Sequence, residues 1–311
     1  MFFQSILLII GIITLYIGGE LFIRGSSKTA YIFGIKPLVV GLVITAFATS
    51  CPELFVSILA TIRRSQDLAV GNLVGSSICN IGLILGLAAI IRPIGVNASV
   101  LKRQLPMLFF GTLIFFIICT DLTIERYEAM VLFGLFLFFT IYSLKSAKSQ
   151  VDGSGTAESK KKISRPVAFS LLGGGLIGLL IGAHLIVESA TVLARGLGIS
   201  ELVIGLSVVA IGTSLPELAA SSVASLKGES DISIGNIIGS NVFNIMGIIG
   251  IVCMIRPISI DPDVLIISIP ILLVYTAVLV PILRTGFKVS RREGVALVVS
   301  YFIYLCLIVF I

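Results

Sequence analysis

The sequence is poor in charge, has a single histidine, and carries five cysteines with no pairing pattern. Only 12% of its 311 residues are Asp, Glu, Lys or Arg, 57% are hydrophobic, and mean hydropathy is +1.14. A soluble domain is not that apolar, which leaves a polytopic membrane protein. One histidine excludes an HExxH metal site, and Gly205-Leu206-Ser207 is followed by Val208, not by the rest of a nucleophile elbow. An enzyme is therefore not expected. Cys51, Cys79, Cys119, Cys253 and Cys306 all lie in apolar runs. Their odd number and the lack of any CxxC exclude a disulfide framework and a zinc site, leaving small apolar packing. The net charge of +6 does not point to nucleic acid, because the basic residues are scattered between the apolar runs. The N-terminus lacks the charged region and cleavage site of a signal peptide, so the first run is expected to be a retained helix.

The uninterrupted length of the apolar runs points to helices, not to the short alternating segments of a barrel. Ten candidate spans fall near residues 5–24, 38–62, 69–91, 104–120 and 127–144, then 167–190, 201–225, 232–254, 264–283 and 294–311. The one long polar connection, 145–166, is rich in Ser, Gly and Lys and reads as a linker between a first half, 1–144, and a second, 167–311. The halves repeat. An offset of 164 positions carries Glu53 onto Glu217, Asn72 onto Asn236, Ser76 onto Ser240, Asn80 onto Asn244 and Arg92-Pro93 onto Arg256-Pro257 without a gap. Five spans per half is an odd number, so the second half enters the membrane from the opposite side. The expected fold is an all-α integral membrane protein of ten transmembrane helices in two inverted five-helix repeats. All but five of the 22 Lys and Arg residues fall on the linker side, the exceptions being Arg63, Arg64, Arg126, Arg195 and Arg256. The positive-inside rule then makes the linker cytoplasmic and both termini extracellular in a cell membrane.

One stretch in each half interrupts the apolar pattern. Ala46-Phe47-Ala48-Thr49-Ser50-Cys51-Pro52-Glu53 is matched by Ala210-Ile211-Gly212-Thr213-Ser214-Leu215-Pro216-Glu217. A carboxylate at bilayer depth costs roughly 2.5–3.5 kcal/mol, so a matched pair points to ions. The proline lacks an N–H and frees the carbonyl four residues back, Ala48 or Gly212. On helical spacing Thr49 and Ser50 share a face with Glu53, and Thr213 and Ser214 with Glu217. Such an all-oxygen cluster suits a hard cation. The second motif runs from Gly71-Asn72 through Gly75-Ser76 to Asn80, mirrored by Gly235-Asn236, Gly239-Ser240 and Asn244. Its glycines let the helix approach its Pro-Glu partner, while Ser and Asn four apart offer oxygens on one side. Two carboxylates in a dry interior repel unless cations join them, so such a site resists crossing the membrane empty. A channel would use rings of carbonyls or charges with rotational symmetry, which one inverted pair disfavours. Glu20 and His184 hold equivalent places in the first span of each half, with Glu188 one turn on; buried hydrogen bonding or a water-lined cleft is expected there before proton sensing.

These paired Gly/Ala-Thr-Ser-X-Pro-Glu and Gly-Asn-X-X-Gly-Ser motifs make nearly the whole chain resemble the sodium/calcium exchangers of the cation/calcium antiporter superfamily, archaeal type. The resemblance implies a secondary antiporter exchanging Ca²⁺ for Na⁺ by alternating access about a midplane site. It implies cation ligands at Glu53, Glu217, Thr49, Ser50, Thr213, Ser214, Ser76, Ser240, Asn80 and Asn244, with the carbonyls of Ala46 and Ala210. The ions are cargo, so no cofactor is expected and no nucleic acid; the chain meets the lipid bilayer and is expected to act as a monomer. Two departures stand out: Ala48 where Gly is usual, and Asn244 where some archaeal relatives have Asp. Proton/calcium antiport is the alternative, but the proton-coupled branch typically carries Gly-Asn-Ala-X-Glu at this place. The hydroxyls around the carboxylates add coordination without titratable charge, which suits sodium.

Overall fold

A computed structural model describes residues 2–63, 66–146, 164–197 and 210–310. Most of the linker expected at 145–166, and the start of the span expected at 201–225, lie outside the described residues. Helix α1 (Phe2–Phe33) has 32 residues. It outruns the 5–24 expected from its apolar run because the polar residues that follow are accommodated by packing. Ser26 and Thr29 are buried, and Ser26 Oγ lies 3.5 Å from Thr45 Oγ1. Helices α2 (Pro37–Thr49) and α3 (Cys51–Ile62) form one pair bent by 44°. The bend falls at Ser50, whose φ of −84° and ψ of 10° leave the helical region. Pro52 therefore sits in the first turn of α3, where its missing N–H leaves no helical bond unmade. The span expected at 38–62 is thus two helices joined at serine.

The first half continues through α4 (Leu68–Ile91), β1 (Ile94–Gly95), α5 (Val100–Asp121), β2 (Thr123–Ile124) and α6 (Arg126–Lys145). The second half follows with α7 (Arg165–Gly196), α8 (Ala210–Thr213), α9 (Leu215–Lys227), α10 (Ser230–Ile255), β3 (Ile258–Ser259), α11 (Val264–Arg284), β4 (Lys288–Val289) and α12 (Arg291–Phe310). Among the described residues, seven helices are long and apolar enough to cross a membrane: α1, α4, α5, α6, α7, α10 and α11. The bent pair α2–α3 makes an eighth if it is one broken span. The chain is a multi-pass helical membrane protein.

Two helices are central. In α4 and α10, 78% and 89% of the most apolar window is buried, against 22–39% for the other five. Both widen into a π-helical turn, Asn80–Leu85 in α4 and Phe243–Ile248 in α10, a feature frequent at functional sites. Outside this core α1 and α7 lie backbone against backbone. A Cβ on Gly175 would fall 2.3 Å from Phe22 N, and one on Gly182 would fall 2.5 Å from Leu15 N. Two short antiparallel pairings tie the halves together at their ends. Strand β1 pairs with β4 through Ile94↔Val289, and β2 pairs with β3 through Thr123↔Ser259. The turn after α4 and the turn before α12 thus share one end of the molecule; those before α6 and after α10 share the other.

Candidate functional site

Both Pro-Glu motifs build the same local structure. Ser214, with φ −89° and ψ 6°, breaks α8 from α9 as Ser50 breaks α2 from α3. Each break starts a new helix whose first turn carries the glutamate, a position where a helix N-terminus favours negative charge. Glu53 and Glu217 are each only 1% exposed. Their partners come from the opposite motif. Ser50 Oγ donates to Glu217 Oε1 at 2.7 Å, and Ser214 Oγ donates to Glu53 Oε1 at 3.1 Å. Helical spacing had placed each serine with the glutamate of its own motif; the break at serine turns the hydroxyl toward the other half instead.

The threonines cross over in the same way. Thr49 Oγ1 donates to Asn236 Oδ1 at 3.2 Å, and Thr213 Oγ1 to Asn72 Oδ1 at 3.4 Å. Each asparagine then donates through Nδ2 to a serine, Asn72 to Ser57 at 3.1 Å and Asn236 to Ser221 at 2.9 Å. Asn72, Asn236, Ser57 and Ser221 are thus supporting residues outside the set inferred from sequence. The 164-residue register did carry a signal, since both asparagines and both serines match across it. The glycines of the second motif act across the halves as well. A Cβ on Gly239 would meet Leu42 O at 2.3 Å and Ala46 Cβ at 2.7 Å, so α10 rests directly on α2 and carries Ser240 with it. The equivalent partner of Gly71 and Gly75 falls outside the described residues.

After these bonds are made, a matched group of buried polar atoms has no partner: Oε2 of Glu53 and of Glu217, Oγ of Ser76 and of Ser240, and the side-chain amides of Asn80 and Asn244. Leaving such atoms unpaired costs about 1–3 kcal/mol each, more for a charged oxygen. Isolated cases occur elsewhere, at Gln104 and Ser143 for instance, but among the described residues only this group includes carboxylates. Among the described residues no three His, Cys, Asp or Glu side chains come together to hold a metal. Of the remaining expected ligands, the Ala46 carbonyl already accepts from Ser50 N at 3.0 Å and from Thr49 Oγ1 at 3.4 Å. Ala210 opens α8.

Glu20 and His184 behave differently from one another. Glu20 pairs with Arg24 one turn on and with Lys227 Nζ of α9 at 3.3 Å. The His184 side chain is 76% exposed, with Nε2 3.5 Å from Glu188 Oε2. Of the two settings expected for the histidine, buried hydrogen bonding or a water-lined cleft, its exposure excludes the first. In the 164-residue register Lys227 corresponds to Arg63, so the equivalent contact would join two basic groups and has no attraction to hold it.

Comparison with known proteins adds three findings. The sequence profile of the family described as sodium/calcium exchanger protein matches residues 3–145 and 167–310. Inner membrane protein YrbG of Escherichia coli is 39% identical over 84% of this chain and 83% of its own length. Sodium/calcium exchanger MaX1 of Methanosarcina acetivorans is 30% identical over 98% of both chains. A solved structure of the sodium-calcium exchanger NCX_Mj superposes with a TM-score of 0.86 at 30% identity, covering 98% of each chain.

Proposed function

The chain belongs to the sodium/calcium exchanger protein family, and from that premise we propose that it is a secondary antiporter exchanging Ca²⁺ for Na⁺ by alternating access. The observation that carries the proposal is the set of buried, unpartnered polar atoms matched between the halves, which includes Oε2 of both Glu53 and Glu217. Two carboxylates held by two serines in a dry core carry a charge that the membrane opposes. One divalent ion or several sodium ions cancel it, and six to eight oxygens at about 2.3–2.6 Å is what calcium requires. Loaded forms can then cross, whereas the empty form is held back, and exchange becomes obligatory. The proposed cation ligands are Glu53, Glu217, Thr49, Ser50, Thr213, Ser214, Ser76, Ser240, Asn80 and Asn244.

The proposal includes ten spans in two inverted five-helix halves, with the site between them at the bilayer midplane. The reciprocal Ser50–Glu217 and Ser214–Glu53 bonds, related to one another by the 164-residue offset, support that arrangement, as does the crossed pairing of β1 with β4 and β2 with β3. The Lys and Arg distribution supports a cytoplasmic linker and extracellular termini. Flux into liposomes tests the function. Sodium trapped inside should drive ⁴⁵Ca²⁺ uptake, and an outward proton gradient without sodium should not. Uptake driven by protons alone would place the protein among proton/calcium antiporters, and uptake without any counter-ion would make it a channel.

A further inference from the structure

The two central π-helical turns are backed at the same place by different side chains. The 164-residue offset carries Gly82 of α4 onto Met246 of α10, and Gly111 of α5 onto Tyr275 of α11. In the first contact Tyr275 fills the notch at Gly82, where a Cβ would fall 3.2 Å from both Cε1 and the hydroxyl of the tyrosine. In the second, Met246 fills the notch at Gly111, where a Cβ would fall 1.6 Å from Met246 Cε. The contact is the same in both halves, but the large residue and the glycine have changed places. Gly82 and Met246 each lie two residues after a proposed ligand, Asn80 or Asn244, and in the same π-helical turn.

The two fillers differ in stiffness. A tyrosine has only two side-chain torsions, and the hydroxyl of Tyr275 lies 2.7 Å from Ser300 Oγ of α12. Ser300 spends its one proton on Leu297 O at 2.7 Å, so the tyrosine is the donor. Tyr301 closes the same notch from α12, its Cβ 2.9 Å from where a Cβ on Gly82 would stand. The α4 turn thus rests on a hydrogen-bonded aromatic wall. Met246 is unbranched, with three rotatable bonds and a polarisable sulfur. It lines an apolar cavity of about 190 Å³ beside Phe110 of α5 and Phe138 of α6, both exposed on the outer surface. The α10 turn is therefore backed by an adaptable side chain with space next to it.

We infer that Tyr275 and Met246 are positioning residues that give the cation site a fixed half and a yielding half. Tyr275 holds the α4 turn and Asn80 in place, whereas Met246 lets the α10 turn and Asn244 shift when the ions change. The inference rests on the exchange reading above. One calcium ion gathers six to eight oxygens around a single centre, while several sodium ions divide the same oxygens among them. A wall of the site must then move when one load replaces the other. The wall that moves is the one that is cheaper to rearrange. Turning a methionine beside a cavity breaks no hydrogen bond. Shifting the α4 turn gives up the Tyr275–Ser300 bond or drives Gly82 into the ring.

Methyl NMR of the full chain in lipid nanodiscs, with ¹³C at the methionine methyls and the tyrosine rings, tests this. The chain has five methionines and seven tyrosines, so the spectra are sparse; Met246→Leu and Tyr275→Phe assign the two signals. Replacing saturating Na⁺ by Ca²⁺ should shift the Met246 methyl by more than its linewidth. The Tyr275 ring signals should stay where they are, as should the methyl of Met130, which is exposed on α6. A Met246 methyl that ignores the change of ion would overturn the inference, as would Tyr275 signals that move as far. Kinetics give a second readout. Tyr275→Phe keeps the ring and gives up one hydrogen bond, so it should raise the KM for calcium by about 2- to 10-fold with kcat retained. Met246→Leu keeps the volume but is branched and stiffer, so it should lower kcat and leave the KM. Parallel changes of kcat and KM in both variants would reduce the two residues to packing and overturn the inference. Calorimetric titration of the same samples separates the ideas. Calcium binding with an unmoved Met246 methyl sinks this inference alone, whereas no calcium binding sinks the exchange reading and this inference with it.

Discussion

Glu53 and Glu217 each commit one carboxylate oxygen to a serine of the opposite half and leave the other without a partner. Amide substitution keeps the shape and removes the charge, so Glu53→Gln or Glu217→Gln should cost on the order of 3 kcal/mol of calcium binding, about 100-fold. Isothermal titration and tracer flux on folded, purified protein would read this loss; full flux in either variant would contradict a role in binding. The asparagines behind them act at one remove. Asn236→Leu leaves the Thr49 and Ser221 hydroxyls buried without their present partner, and Asn72→Leu does the same for Ser57. We expect about 1–3 kcal/mol of destabilisation from each, read as a lower melting temperature, with a weaker apparent calcium affinity that the two variants share. Which residue types gather at the site was legible in the sequence, because the matched motifs name them. Which side chain touches which was not. Bonds between Ser50 and Glu217, or Thr49 and Asn236, join positions more than 160 residues apart and depend on a helix break that turns each hydroxyl. His184 shows the same limit, for its exposure depends on what packs beside α7 and not on its neighbours in sequence.

Elements in this protein meet where side chains are missing. Helix α10 lies on α2 through Gly235 and Gly239, and α1 lies on α7 through Gly18, Gly175 and Gly182. The GxxxG spacing marks a close-packing face in α10 (Gly235, Gly239) and equally in α7 (Gly178, Gly182), but which helix lies on each face shows only in the packed structure. Gly239→Ala would place a methyl group 2.3 Å from a backbone oxygen that a helix holds in place. Overpacking of this kind costs about 1–3 kcal/mol and should move Ser240 away from the glutamates. Gly134→Ala, where nothing lies within 4 Å, should instead be neutral or stabilising by up to about 1 kcal/mol through helix propensity. Thermal unfolding in one detergent would compare the two, and equal melting points would contradict the close α2–α10 contact. Helix edges were only partly legible. The polar residues after Glu20 ended the first apolar run in sequence, but burial of Ser26 and Thr29 carries α1 on to Phe33.

At the scale of the whole molecule, the arrangement of loops and the direction of exchange depend on one another. The strand pairings gather Arg92, Lys288 and Arg291 at one end, in line with a basic, cytoplasmic face. A tag inserted near Lys160 should be reached only from the cytoplasm and one after Ile311 only from outside; labelling of both from one side would contradict the inverted arrangement. Voltage then reports the ion ratio. Two carboxylates loaded with one Ca²⁺ form a neutral centre, so that limb of the cycle carries no net charge. If the hydroxyls of Thr49, Ser50, Ser76, Thr213, Ser214 and Ser240 join the site as proposed, they add uncharged oxygens for sodium ions beyond the two that charge balance needs. With three sodium ions the loaded centre carries one positive charge, and each such charge feels about 2.3 kcal/mol per 100 mV. Three Na⁺ leaving a liposome for each Ca²⁺ entering would export net positive charge. Sodium-driven calcium uptake should therefore rise when a potassium gradient and valinomycin make the interior positive, and fall when they make it negative. At a clamped 100 mV the calcium accumulation at equilibrium should shift by about 50-fold. Uptake that ignores the potential would fix the ratio at two sodium ions per calcium and assign the extra hydroxyls to the serine and threonine bonds alone.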